Sequence, residues 1–449
     1  MSGLSRRSLR VEALALVLLG AVMAAAQRVT PPIVPGAATI AAVGFLLIGG
    51  TLAASLLEVV GLPHLTGYIL AGAVAGPDLL GLVGHEAVAD LAPVNALALS
   101  LIALAGGAEL RLDGLRRGLR SLAWATLLHS VPVMLLTAAV FAAARPLVPF
   151  LRELPPAALA GAALLWGVLA ITRSPGACLG VLSQTRARGP LASFSLNFVM
   201  SSDLVVVVVL ALVLTVARPL LEPGTSLSLD AFADLGHELL GSVSLGVTLG
   251  LGLVAYLRFV GRQLLLVLVA LGLVLTNVID YLRLDWLLIF LVAGFVVQNL
   301  SRQGPKLLHA VEGTGEVVYV VFFATAGAHL DLPLLARLWP AALLLAGARA
   351  AFTAAAGVAS ARLAGDPPAL RRWGFAGLVS QAGLALGIAA RVAEAFPAFG
   401  AGFAALAVAV VAVNEVAGPI LFKLALDRTG ESAAAEAEAA APGATAPAA

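Results

Sequence analysis

The chain has 449 residues, 61% of them hydrophobic and 12% charged, with a mean hydropathy of +1.02. Soluble domains carry about 25% charged and 45–50% apolar residues, so this composition excludes a soluble globular protein and leaves an all-α polytopic membrane protein. The formal charge of +2 offers no basic surface for nucleic acid, and the single cysteine, Cys178, excludes a disulfide framework and a cysteine metal site.

In chain order, apolar runs able to cross or nearly cross about 30 Å of hydrocarbon fall near 9–26, 38–60, 64–83, 91–109, 119–145, 156–183, 190–217, 237–258, 263–279, 283–300, 315–330, 337–363, 373–396 and 400–425. They predict 13–14 transmembrane helices. The first run fits either a retained helix or a cleaved secretory signal, because Arg6, Arg7 and Arg10 precede a short apolar core ending Ala24-Ala25-Ala26-Gln27. The expected division is an N-terminal extra helix or signal over 1–37, a transmembrane domain over 38–426 and a disordered tail over 427–449. That tail is rich in Ala, Glu and Pro, and no soluble regulatory domain is expected in this chain.

Basic residues check the count. Placed on alternating sides, the connections put eighteen of the 27 basic residues on the side of the N-terminus and six on the other. By the positive-inside rule the richer side is cytoplasmic, which predicts a cell inner membrane protein with a cytoplasmic C-terminus. Arg173, Arg349 and Arg391 fall inside the spans.

Three short matches recur in the same order. Ala71-Gly72 matches Ala293-Gly294, Ala105–Leu112 matches Thr325–Leu332, and Pro175–Gly180 matches Ala382–Gly387. Within each pair the copies cross the membrane in opposite directions. Inverted repeats with broken helices at mid-depth characterise secondary transporters.

One acid dominates the apolar run Asn197–Leu210: Asp203, preceded by Ser201 and Ser202. A carboxylate at bilayer depth costs roughly 2.5 kcal/mol on insertion scales, so it points to an ion-binding group. The preceding run is interrupted by Ile171-Thr172-Arg173-Ser174-Pro175-Gly176, where Pro175 removes a donor and frees oxygens around Thr172 and Ser174. Gln381 and Gly383, in Ser380–Gly387, mark a second polar break at the matching repeat position. The predicted site is Asp203 with Ser202, Thr172 and Ser174 as ion or proton ligands. Arg349, Arg173 and Glu415 are its charge-compensating residues, with Glu415 expected to pair with an arginine. Arg173 fits three places: a cap on the broken helix, a partner of Asp203 or Glu415, or a water-filled vestibule.

Leu62–Pro77, Thr172–Pro175, Arg186–Gly189 leading to Asp203, Phe322–Leu332, Ser380–Gly387 and Asn414–Leu421 together resemble sodium/proton exchanger-type cation:proton antiporters. The resemblance covers residues 38–426. It implies two crossed broken helices in a mobile core, a dimerisation domain and hence a homodimer, elevator-like exchange, and Asp203 as the essential aspartate. Family members usually carry Asp, Asn or another polar group before that aspartate, where this chain has Ser202, and Arg173 sits inside their Thr-Ser-Pro pattern.

The function expected is exchange of a monovalent cation, Na⁺ or K⁺, for protons. No cofactor is expected, and no metal beyond the transported cation. An anion transporter on the same scaffold would make sense of Arg173, and a channel or non-transporting sensor is the alternative from another class. An enzyme is disfavoured: the sequence has no His-Glu-x-x-His and no Gly-x-Ser-x-Gly.

Overall fold

The computed structural model describes residues 6–29, 37–222, 230–282, 284–301, 303–330, 332–381 and 383–433. The regular structure among them is helical. The first half comprises α1 (Arg6–Val29), α2 (Ala37–Glu58), α3 (His64–Ala75), α4 (His85–Asp90), α5 (Ala92–Glu109), α6 (Leu112–Leu128), α7 (Met134–Ala143), α8 (Pro149–Glu153), α9 (Pro156–Ala170), α10 (Pro175–Thr185) and α11 (Pro190–Leu221). The second comprises α12 (Asp230–Phe259), α13 (Leu264–Leu282), α14 (Trp286–Leu300), α15 (Gly304–Ala328), α16 (Leu332–Ala364), α17 (Pro368–Trp373), α18 (Gly383–Ala395) and α19 (Gly400–Thr429). Among the described residues, eight helical segments are long and apolar enough to cross a membrane, and four shorter apolar helices accompany them. Each of the fourteen runs read from the sequence overlaps helix, although 64–83 is helical only over His64–Ala75 and 373–396 spans the second break.

The buried apolar residues form two clusters, and several chain segments pass from one to the other. On α11, Phe198 and Met200 belong to the first cluster and Val206 and Leu210 to the second. Ile171 and Ala177 divide in the same way across the first break, Leu378 and Ala385 across the second, and Val411 and Phe422 along α19. The residues at these four switch points are polar: Ser202-Asp203, Thr172-Arg173-Ser174, Ser380-Gln381 and Asn414-Glu415. A polar layer therefore lies between two apolar ones, and water cannot satisfy it from the lipid side.

The inverted repeat is visible as two equivalent close crossings. Where α3 meets α15, a Cβ on Gly72 would lie 1.9 Å from the Ala324 carbonyl oxygen, and one on Gly327 would lie 2.0 Å from that of Ile69. Where α5 meets α14, the same holds for Gly107 against Leu291 at 1.9 Å and Gly294 against Leu104 at 2.1 Å. Gly72 matches Gly294 and Gly107 matches Gly327 in the repeat, so one contact is built twice. Gly72→Ala or Gly107→Ala should part these helices. Overpacking costs about 1–3 kcal/mol even where side chains can yield, and here the obstacle is backbone. A drop in thermal stability of the detergent-solubilised protein is expected. Gly44→Ala and Gly347→Ala, which meet nothing within 4 Å, should leave it unchanged.

Hydrogen bonds between connections join residues read as lying on the same side. On one side Thr39 donates to Asp90 (2.9 Å) and the Leu332 N–H to Asp78 (2.8 Å). On the other, Lys423 donates to the Gly61 carbonyl (2.9 Å) and Ser121 to Asp366 (2.7 Å).

The tail boundary differs from the sequence reading. α19 continues to Thr429, and Glu431 and Ser432 are buried. The Glu431 carboxylate accepts the Leu191 and Ala192 N–H groups at 2.9 and 2.8 Å, capping α11 at its first turn. An Ala/Glu-rich composition hid this, since a cap needs one acid rather than an apolar run. The rest of the expected tail, 434–449, lies outside the described residues.

Candidate ion site at two crossed helix breaks

The first break separates α9, ending at Ala170, from α10, starting at Pro175. Ser174 is the N-cap of α10, its hydroxyl accepting the Ala177 N–H at 3.1 Å. The second break follows a short 3₁₀ turn, Ala376–Leu378, and ends where α18 begins at Gly383. The two breaks touch, the Ser174 N–H donating to the Ser380 carbonyl at 3.0 Å.

Unwinding frees carbonyls, and one side chain collects them. Arg349 of α16, 2% exposed, donates through Nε to Ala170 (2.6 Å), through Nη1 to Val379 (2.6 Å) and through Nη2 to Thr172 (2.7 Å) and Leu378 (3.2 Å). A guanidinium presents its donors in a fixed fork, which suits acceptors arriving from two directions. Gln381 completes the crossing: its Nε2 donates to the Leu169 carbonyl (2.8 Å) and Thr172 Oγ1 (3.0 Å), while its Oε1 accepts from Asn414 (2.7 Å).

Asp203 is half-buried on α11. Its Oδ1 is closed to solvent and has no hydrogen-bond partner. It lines a cavity of about 210 Å³ together with Ile102 and Ala103 of α5, Met200 and Ser201 of α11, and Leu288 and Leu291 of α14. Pro175 and Leu384, from the first turns of α10 and α18, also line it. Helix N-termini carry roughly half a positive charge, so the two half-helices present their positive ends to the acid.

The other expected ligands are turned away. Ser202 is buried and its hydroxyl donates to the Val199 carbonyl at 2.8 Å; Thr172 donates to Leu169 at 2.8 Å and receives Gln381. Ser174 is occupied as a cap. None of the three lines the cavity, whereas Ser201 does. One residue along a helix turns a side chain by about 100°, which separates Ser202 from Asp203.

Of the charge-compensating residues, Arg349 serves a structural role and Glu415 lacks its expected partner. Among the described residues no ion pair joins Asp203 or Glu415 to Arg173 or Arg349. Arg349 compensates carbonyl ends rather than a carboxylate. Glu415 is 5% exposed and neither of its carboxyl oxygens has a hydrogen-bond partner, so its expected arginine pairing is not made. Arg173 donates to the Ile171 carbonyl (3.0 Å) and lays its guanidinium 4.4 Å from the Phe198 ring centre. Such a desolvated cation–π contact is worth up to about 2 kcal/mol. Arg173 therefore lies against an aromatic wall and outside the cavity lining. Sequence reasoning missed Asn414 as the partner of Gln381, Ser201 as a lining residue, and Asp285 of the Asp285-Trp286 helix start, which also lines the cavity. Asp285 is legible as an acid preceding an apolar run, but nothing in the sequence places it in the cavity of Asp203.

An inverted pair of helix crossings, two breaks in contact and a buried acid at their junction make the architecture of a secondary transporter. Residues 13–426 match the family described as sodium/hydrogen exchanger, transmembrane, and the chain belongs to that family. Its fold is similar to that of the sodium proton antiporter MjNhaP1 from Methanocaldococcus jannaschii at pH 8, with a TM-score of 0.65 and 16% sequence identity. That similarity covers 89% of this chain and 98% of the other. No curated protein matches the chain in sequence.

Proposed function

We propose that the protein exchanges Na⁺ or K⁺ for protons across a cell inner membrane, with Asp203 as the carboxylate that binds either ion. The observation that carries this reading is the carboxyl group of Asp203: its Oδ1 is closed to solvent and without a donor, and the residue lines a cavity that touches both helix breaks. A carboxylate oxygen with no hydrogen-bond donor is completed by a proton or by a cation at the group, and one excludes the other. That exclusion is the coupling. Family membership and the fold shared with an antiporter support the same conclusion.

Ser201 supplies a further oxygen ligand in this scheme, and Thr172, Ser174, Ser202, Gln381 and Arg349 hold the breaks in shape. Movement of α9–α11, α16, α18 and α19 against α5, α12 and α14 carries Asp203 from one side to the other, an elevator-type cycle. The protein works as a homodimer with its C-terminus in the cytoplasm.

With Asp203 as the single carboxylate that releases a proton for each cation, exchange is one-for-one. Proteoliposomes with a lumenal pH dye should show cation-driven pH changes with Na⁺ or K⁺ outside and none with choline. The rate should be the same when valinomycin and a K⁺ gradient set the membrane potential in a Na⁺-driven assay. A rate that follows the potential contradicts one-for-one exchange.

A further inference from the structure

The cavity that holds Asp203 has a second acid in its lining, contributed by a different helix. Its polar side chains, among the described residues, are Ser201, Asp203 and Asp285; the rest of the lining is apolar. Asp285 precedes α14, and its position is fixed by two helices. Its Oδ1 accepts the Leu288 N–H at 2.7 Å as an N-cap, and its own N–H donates to Ser242 Oγ of α12 at 2.9 Å. Ser242 is fully buried. Asp285 is itself half-buried, with Leu288, Leu291 and Val292 continuing the cavity wall along α14.

Capping does not call for an acid. Asn and Ser cap helices about as well as Asp, so the negative charge at this position is a separate property from the cap. In a cavity walled by leucine, valine and methionine, a second carboxylate acts on any ion at Asp203 through little screening. Among the described residues, Arg173 also acts on Asp203 through its charge, from beside Phe198, and the other charged or titratable groups on the surrounding helices look elsewhere. Arg349 lies on four carbonyls, and Glu109 of α5 lines a different cavity with Arg186 and Arg188. His129 bonds the Ala125 carbonyl beside Phe198, and Glu415 lies outside the cavity lining.

Building on the reading of Asp203 as the exchange site, we propose that Asp285 is a second carboxylate of the ion cavity, contributed by the opposing helix α14, which sets how tightly a monovalent cation is held at Asp203. Asp203 and Asp285 sit on the two groups of helices that move against each other in the proposed cycle. The pair therefore forms in the state in which α11 faces α14 and separates as the ion is carried away. The field of Asp285 favours a bound proton as much as a bound cation, because both carry one positive charge. Its effect on cation affinity is then hidden at acidic pH, where the two compete, and shows at alkaline pH, where the site is free of protons.

The test is the apparent KM for Na⁺ or K⁺ in proteoliposomes from pH 6 to 9.5, for wild type, Asp285→Asn, Asp285→Ser and Asp285→Ala. Asn and Ser keep the cap and remove the charge. Both are expected to raise the alkaline plateau of KM about tenfold, to converge with wild type at acidic pH, and to match its thermal stability. Asp285→Ala is expected to show the same plateau with lower stability. An alkaline KM equal to wild type in Asp285→Asn and Asp285→Ser, with only Asp285→Ala impaired, leaves Asp285 as a cap and overturns the proposal. A KM raised equally at every pH is a packing defect and overturns it too. Asp203→Asn run beside them separates the two claims: exchange that persists in Asp203→Asn overturns the site itself, whereas exchange lost there and unaltered in Asp285→Asn overturns the role of Asp285 alone.

Discussion

Asp203→Asn is expected to yield a folded protein in which cation-driven proton movement falls below about 1% of wild type. The substitution is isosteric and removes the charge that both ions need. It is also structurally mild, because Oδ1 accepts no hydrogen bond and the fold does not lean on it. Removing an uncompensated acid from an apolar run should leave stability unchanged or raise it, since such a group costs roughly 2.5 kcal/mol at bilayer depth. Lumenal pH in proteoliposomes reads the flux, and thermal unfolding in detergent reads the fold. Loss of flux together with loss of folding would leave Asp203 a structural acid, contrary to this account.

The second large effect is expected at Arg349. Its five donors meet four carbonyls from both breaks, at 2.6 to 3.2 Å. Hydrogen bonds to charged groups contribute about 1.5–3 kcal/mol each, and abandoned buried acceptors carry a further penalty. Arg349→Ala should therefore fail to give a stable protein. Arg349→Lys keeps the charge but places one ammonium where a fork reached four acceptors, and a loss of about 3 kcal/mol or more is expected. The unfolding midpoint of Arg349→Lys in detergent is the measurement. A midpoint equal to wild type would mean that charge alone, without the fork, holds the crossing.

The features legible in the sequence share one property: each departs from the apolar background at a single position. Asp203 stands out in a run of valines, Pro175 marks the first break, and the repeat is carried by glycines whose close approaches the structure shows. The positive-inside alternation is legible because charge, unlike packing, is a property of the loop itself. What was not legible depends on rotation and reach. Ser201 and Ser202 are equally polar, but only the helix phase on α11 tells which one joins Asp203 in the cavity. Thr172 and Ser174 lie beside the break, yet their hydroxyls are consumed by Leu169, Gln381 and Ala177. Opposite charges suggested an arginine partner for Glu415, whereas the carbonyls released by unwinding, which hold Arg349, are invisible to a count of charges. Glu431 and Asp285 were missed for a related reason, since each acts on a helix or cavity whose proximity only the tertiary fold creates.

A proton and a cation compete for one carboxylate in the proposed cycle, and the dependence of the apparent KM on pH reports that competition. In proteoliposomes of the wild-type protein, initial exchange rates at varied Na⁺ or K⁺ would be measured at half-unit steps of pH. Competition predicts a KM that rises tenfold for each pH unit on the acid side, levels off on the alkaline side, and leaves the maximal rate unchanged. A KM independent of pH, or a maximal rate that falls with acid while KM stays constant, would place the proton and the cation on separate groups and contradict the account.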